Sequence, residues 1–156
     1  MSTIHPWERR IYIDTEFTDI AAPRLISFAM VSEDGHEFYG EVAEMDEEVC
    51  SAFVRAQVLP QLGKFPGCIM TREALAEATR IWMSKFSGLR QRPVVCYDHP
   101  IDLQLLWELI GRKPTGWKEK LISLRIDPVR REQYFSEHGG RHHALYDARA
   151  NRAAYR

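Results

Sequence analysis

Apolar positions along this chain recur first with the period of strands and then with that of helices. Arg10 to Phe17, Leu25 to Val31 and His36 to Val42 are short apolar runs, the last two separated by a turn at Glu33-Asp34-Gly35. Runs of this length with short connections predict a three-stranded antiparallel meander. Asp46 is placed to cap a helix with Val49, Phe53 and Ala56 at helical spacing, ending near Pro60. After a polar loop containing Pro66 and Gly67, Thr71 caps a longer helix reaching about Leu89. Its stripe of Leu75, Ala78, Trp82 and Phe86 assigns Trp82 and Phe86 to the core rather than to a base-stacking surface. Pro93 to Tyr97 reads as a buried parallel strand, followed by a helix from about Ile101 to Ile110 with Gly111 as C-cap. The stretch from Arg112 to Gly140, rich in Pro, Gly and basic residues, yields no assignment. A last helix is predicted from about His143 to Tyr155.

A meander followed by helix, strand and helix units predicts an α/β fold, a mixed sheet flanked by helices. With 156 residues, 45% of them hydrophobic, and no repeat or linker, one domain spanning residues 1–156 is expected. No apolar run is long enough for a signal peptide or for the roughly 20 residues of a membrane span, so a cytoplasmic protein without membrane association is expected. Cys50, Cys68 and Cys96 are odd in number and form no C-x-x-C pair, which points away from a disulfide framework or a zinc cluster.

The net charge of −1 carries no prediction about nucleic acid. Its distribution carries more. Residues 112–156 hold eleven Lys or Arg against five Asp or Glu, with Arg125, Arg130, Arg131, Arg141, Arg149 and Arg152 around His142. Such a region can attract a phosphate backbone, or be an ordinary solvated face that balances the acidic stretch Glu33 to Glu48.

The candidate chemistry lies in three short stretches: IYIDTEF, VVCYDHPIDLQLL and RHHALYDA. Alternation along a strand puts Asp14 and Glu16 on one face, and they follow Ile11 to Ile13 at the strand's C-terminal end, where open α/β sheets place ligands. Two anions beside a core repel each other unless cations or protons compensate. Asp102 begins the helix after VVCY, and Asp98 at the strand end competes with it for the same part. Asp147 falls one turn into the last helix, and His142 or His143 lies in the loop before it. Gly139-Gly140 gives that loop freedom to move, which suits a base that engages with substrate.

Order and spacing together resemble the DEDD 3′-to-5′ exonuclease superfamily, in its histidine-bearing DEDDh subclass. IYIDTEF is similar to the first motif, supplying Asp14 and Glu16. YDHPIDLQLL resembles the second, H-N-x-x-F-D-x-x-x-L, and so selects Asp102 over Asp98. HHALYDA matches the third, H-x-A-x-x-D-A, selecting His142 over His143 and supplying Asp147. Relatives with a tyrosine base carry it four residues before the last Asp, where this chain has His143. Asp98 stands where relatives often have Asn, and Ile101 where they have an aromatic residue.

The resemblance implies an RNase H-like mixed β-sheet, with the antiparallel three-stranded meander plus parallel strands flanked by helices. It further implies hydrolysis by two divalent cations held by Asp14, Glu16, Asp102 and Asp147, with His142 as general base. Oxygen-only ligands favour Mg²⁺ or Mn²⁺ over zinc. Four carboxylates carry about −4 and two such ions about +4, so metal precedes substrate. Thr15 and Phe17 are expected at the last sugar and base, with Asp98 and Arg141 as further substrate contacts. The expected partner is the 3′ end of single-stranded RNA, as in small stand-alone exoribonucleases of the RNase AS type. Single-stranded DNA and a binding-only module are the alternatives. Small relatives of this kind imply a homodimer.

Overall fold

The computed structural model describes residues 6–156. Three strands, β1 (Glu8–Phe17), β2 (Leu25–Ser32) and β3 (Glu37–Val42), form the expected antiparallel meander. Two more, β4 (Ile69–Met70) beside β3 and β5 (Arg92–Tyr97) beside β1, are parallel to their neighbours. With β6 (Lys118–Leu121) parallel to β5, the six strands run in the order β4-β3-β2-β1-β5-β6. The helices are α1 (Ala52–Gln57), α2 (Arg72–Ser84), α3 (Pro100–Ile110), α4 (Pro128–His138) and α5 (Ala144–Ala154). This is the mixed α/β sheet with flanking helices that the hydrophobic pattern predicts.

Alternation along β1 divides the core between two faces. Ile11 and Ile13 join Phe28 and Met30 of β2 in a cluster with Leu75 and Met83 of α2 and Leu105, Leu106 and Leu109 of α3. Trp82 and Phe86 are buried in the same cluster, as their stripe requires. On the opposite face Ala29 and Val31 meet Ala144, Leu145 and Ala148 of α5, while Tyr12 packs edge-on against Tyr155 at 5.6 Å. Small residues at 144 and 148 let α5 lie directly on β1 and β2. The consequence for the site is that α3 and α5 approach β1 from opposite sides.

Several elements differ from expectation. Asp46 caps only a 3₁₀ turn (Glu47–Val49), and Ser51 starts α1 by accepting from the Val54 N–H at 3.2 Å. The buried stripe there is Cys50, Val54 and Val58 with Ile26, whereas Val49 and Phe53 are exposed. Helix α2 stops at Ser84, before the expected Leu89. The stretch 112–140 holds a strand and a helix, with a 3₁₀ turn (Ser123–Arg125) between them. β6 is an edge strand reading KEKL, so it needs no apolar run. α4 begins at Pro128, with Asp127 Oδ1 accepting from the Val129 and Arg130 N–H groups. All three cysteines are free thiols. Among the described residues no helix is long and apolar enough to cross a membrane.

Candidate active site

Ladder pairing of β1 with β5 ends at Tyr12 and Cys96, and β5 itself ends at Tyr97. β1 continues to Phe17 paired with β2 alone. The chain that leaves β5 and enters α3 brings Asp98 and Asp102 to that end of the sheet. Alternation puts Asp14 and Glu16 on the face covered by α5, where Asp147 stands in the helix's first turn. Thr15, one residue out of phase, turns towards α3, and its hydroxyl and N–H donate to Asp102 Oδ1 at 2.6 and 3.2 Å. Asp102 is not the cap of its helix, because His99 Nδ1 accepts from the Ile101 N–H at 3.1 Å. Its carboxylate is therefore committed to Thr15 and the site.

Two groups of carboxylates result, and Asp14 belongs to both. Oxygens of Asp14, Glu16 and Asp147 lie within 4.8 Å of one another, as do those of Asp14, Asp98 and Asp102. Glu16 hydrogen-bonds Asp147, and Asp98 hydrogen-bonds Asp102. Asp14 is only 7% exposed, and its Oδ2 is buried without a hydrogen-bond partner.

Desolvation followed by the charge of Asp147 raises Asp14 well above the carboxylate range and Glu16 to about 9. Burial also raises Asp102 to about 7 and Asp147 to about 6, against hydrogen bonds from Thr15 and Glu16 respectively that act downwards. An orphaned buried oxygen among mutually repelling acids is what a cation would satisfy. The donors are all hard oxygens, which fit Mg²⁺ or Mn²⁺.

The two histidines separate cleanly. His143 is buried, stacked on Tyr39 at 4.7 Å and edge-on to Phe65, and burial lowers it to about 4. His142 is half-buried beside the acids, and its N–H donates to Asp147 Oδ1 at 3.2 Å. Burial, then Arg141 and Arg131, hold its imidazole below the usual value, which keeps it neutral and able to accept a proton. Its backbone φ of 66° is the one positive value at a non-glycine residue among those described. The turn is set by Gly140, where a Cβ would lie 2.2 Å from the Tyr146 ring. Only glycine fits there.

The remaining expected residues fall as follows. Phe17 is partly buried against the α2–α3 core. Arg141 is exposed, paired with Glu132 and over the Phe135 ring at 4.5 Å. Of the basic region, Arg149 is bound to Glu37 at 2.6 and 2.8 Å and Arg131 approaches Asp98 at 3.6 Å. Much of that positive charge is thus matched pairwise, and Arg131 is the cation facing the acid cluster.

Phe53, one of the apolar positions at helical spacing, is 54% exposed, with its ring edge-on to His142 at 4.9 Å. The alternative stripe Cys50-Val54-Val58, offset from it by one residue, was the signal that places Phe53 outside. Gln61 Nε2 donates to the Arg141 carbonyl at 2.6 Å, so the segment around α1 holds the histidine loop at two points.

No family model matches the chain. A stretch of 54 residues is 44% identical to 3′-5′ exoribonucleases from two strains of Mycobacterium tuberculosis, covering 34% of this chain and 32% of theirs. The match thus spans about a third of those relatives. The nuclease domain of 3′hExo, described as a DEDDh family member bound to rAMP, superposes with a TM-score of 0.62 at 17% identity, covering 96% of this chain and 90% of that one. Cell-death related nuclease 4 (CRN-4) superposes with a TM-score of 0.57 at 15% identity, over 94% of this chain and 62% of that one.

Proposed function

We propose that this chain, which has the RNase H-like fold of the DEDDh 3′-5′ exonucleases, is itself a metal-dependent 3′-to-5′ exoribonuclease acting on single-stranded RNA. The observation that carries the reading is the meeting of Asp14, Glu16, Asp102, Asp147 and His142 at one end of β1, with a buried, unpartnered oxygen on Asp14 at the centre. The local likeness to named exoribonucleases favours RNA over DNA.

Asp14, Glu16 and Asp147 would hold one divalent cation, with Asp14 and Asp102 towards a second. Two Mg²⁺ or Mn²⁺ ions supply positive charge for the attacking and leaving oxygens of a phosphodiester. The protein's own part is positional. Thr15 fixes Asp102 through two hydrogen bonds, Asp147 fixes the loop of His142, and Phe53 bounds the imidazole.

His142 takes a proton from the attacking water as its oxygen bonds to the terminal phosphorus. The bond from phosphorus to the upstream 3′ oxygen then breaks, releasing a 5′-mononucleotide. Phe17 and Arg141 would serve as contacts for the terminal base and phosphate. In this reading the chain is one cytoplasmic nuclease domain working as a homodimer, and a monomeric mass at working concentration would count against the last point.

The test uses RNA and matched DNA labelled at the 5′ end, with Mg²⁺, Mn²⁺ or EDTA, alongside His142→Ala. The expected outcome is a metal-dependent ladder shortening from the 3′ end, faster on RNA and lost in the variant. Intact strands from folded protein in every condition would remove the nuclease reading, and faster loss of DNA would reverse the substrate preference.

A further inference from the structure

Asp98 sits at the end of β5, outside the set of four carboxylates and one histidine that the reaction requires, yet it belongs geometrically to the site. One of its oxygens lies within 4.8 Å of ligand atoms from both Asp14 and Asp102. It hydrogen-bonds Asp102, and its other neighbour is the Arg131 guanidinium at 3.6 Å, reaching over from α4. The side chains of Asp98 and Arg131 are 19% and 33% exposed, so the pair is reached by solvent.

We propose that Asp98 is itself a metal ligand, completing a second cation position with Asp14 and Asp102, and that Arg131 is the protein's own competitor for that carboxylate. Acid clustering alone does not assign a metal position. The independent observation is Asp14 Oδ2, more than nine-tenths buried, without a hydrogen-bond partner, on the residue common to both carboxylate groups.

Charge supports the same assignment. With Asp98 included, five carboxylates surround the position, and two divalent cations leave one negative charge, which the Arg131 guanidinium balances. Without Asp98, the second position would have Asp14, already shared with the first, and Asp102, whose Oδ1 already accepts two hydrogen bonds from Thr15. A hard cation needs several oxygen ligands, and Asp98 is the remaining acid in reach.

The inference rests on the metal site proposed above and not on turnover, so its test reads metal directly. Full-length protein is titrated with Mn²⁺ alone, without RNA, by calorimetry and by the electron paramagnetic resonance of free Mn²⁺. Wild type should take up two ions. Asp98→Asn should keep the first and bind the second at least tenfold more weakly, with its metal-free melting temperature maintained.

Arg131→Ala leaves every carboxylate in place and should tighten the second ion severalfold at low salt. It also decides the matter should Asp98→Asn fail to fold. Unchanged Mn²⁺ binding in Asp98→Asn, unchanged binding in Arg131→Ala, or uptake of one ion by wild type would each overturn the proposal. A purely structural Asp98–Arg131 tether predicts lower stability in both variants and no change in metal binding. Wild type that binds two ions but leaves RNA intact would remove the nuclease reading alone. Wild type that degrades RNA while Asp98→Asn binds Mn²⁺ normally would remove this inference alone.

Discussion

The two ends of β1 handle a buried carboxylate in opposite ways. At the N-terminal end Glu33 is 7% exposed, and it accepts from the Arg10 N–H at 3.1 Å and from the Arg10 guanidinium at 2.9 Å, with Arg9 at 4.0 Å. At the C-terminal end Asp14 is also 7% exposed, and its neighbours are Glu16, Asp98, Asp102 and Asp147. Arg10 and Asp14 are four residues apart on one face of the same strand. Burial is therefore the same and the partner differs. A paired buried acid is a structural element, while a buried acid among acids is a site that needs something from outside the chain.

The largest expected effect comes from neutralising the acid end. Asp14→Asn should lower exonuclease turnover on the order of 10³-fold by removing the residue common to both ligand groups. It should also abolish metal-induced stabilisation, while the metal-free fold survives with an equal or higher melting temperature at neutral pH. A variant that melts much earlier without metal would show that Asp14 is structural, as Glu33 is.

The reciprocal change at the other end is Arg10→Met, which removes the guanidinium bonded to Glu33 and leaves it the Arg10 N–H and Arg9 at 4.0 Å. It should cost about 3 kcal/mol of stability in urea unfolding and leave the metal dependence of activity unaltered. Stability within a few tenths of wild type would erase the contrast between the ends.

Next comes the pH response of the metal-free protein. Glu16 has an ordinary value of 4.5 and is raised to about 9 in the fold. Between those values the folded chain holds a proton that the unfolded chain has released, so stability falls as pH rises. The melting temperature of metal-free protein should drop by several degrees from pH 5 to pH 9, and saturating Mg²⁺ or Mn²⁺ should flatten or reverse the trend. A rising melting temperature over that interval in EDTA would contradict the uncompensated cluster.

The smallest effect is expected from Thr15→Val, which keeps the shape but removes the hydroxyl that holds Asp102 at 2.6 Å. Loss of one positioning hydrogen bond should reduce kcat about tenfold. Stability should change by about 1 kcal/mol. Full activity would mean that the Thr15 backbone N–H suffices to orient Asp102.

The meander, the parallel strand before α3 and the helices ending at Gly111 and beginning near His143 were legible because each combines an apolar run with its own boundary residue. Segment 112–140 was not, because edge strand β6 buries little and α4 is largely polar, with Phe135 its one buried residue. For the short helix near Phe53 the pattern leaves the buried face open, since Val49-Phe53-Ala56 and Cys50-Val54-Val58 are both helical stripes. Only contact with Ile26 selects between them.

What the sequence offered by itself was a set of candidate residues, because spacing two along a strand and one turn into a helix is a property of local geometry, while the preference for Asp102 over Asp98 came from motif likeness. The preference for His142 over His143 followed from motif likeness, and only the fold shows that His143 packs against Tyr39, Phe65 and Tyr146. Tertiary structure alone decided that Thr15 serves Asp102, that Phe53 stands over His142, and that Asp98 lies between Arg131 and the acids. Those three relations join residues from 33 to 89 positions apart, and distances across such separations are set by how the helices dock on the sheet, which no local pattern encodes.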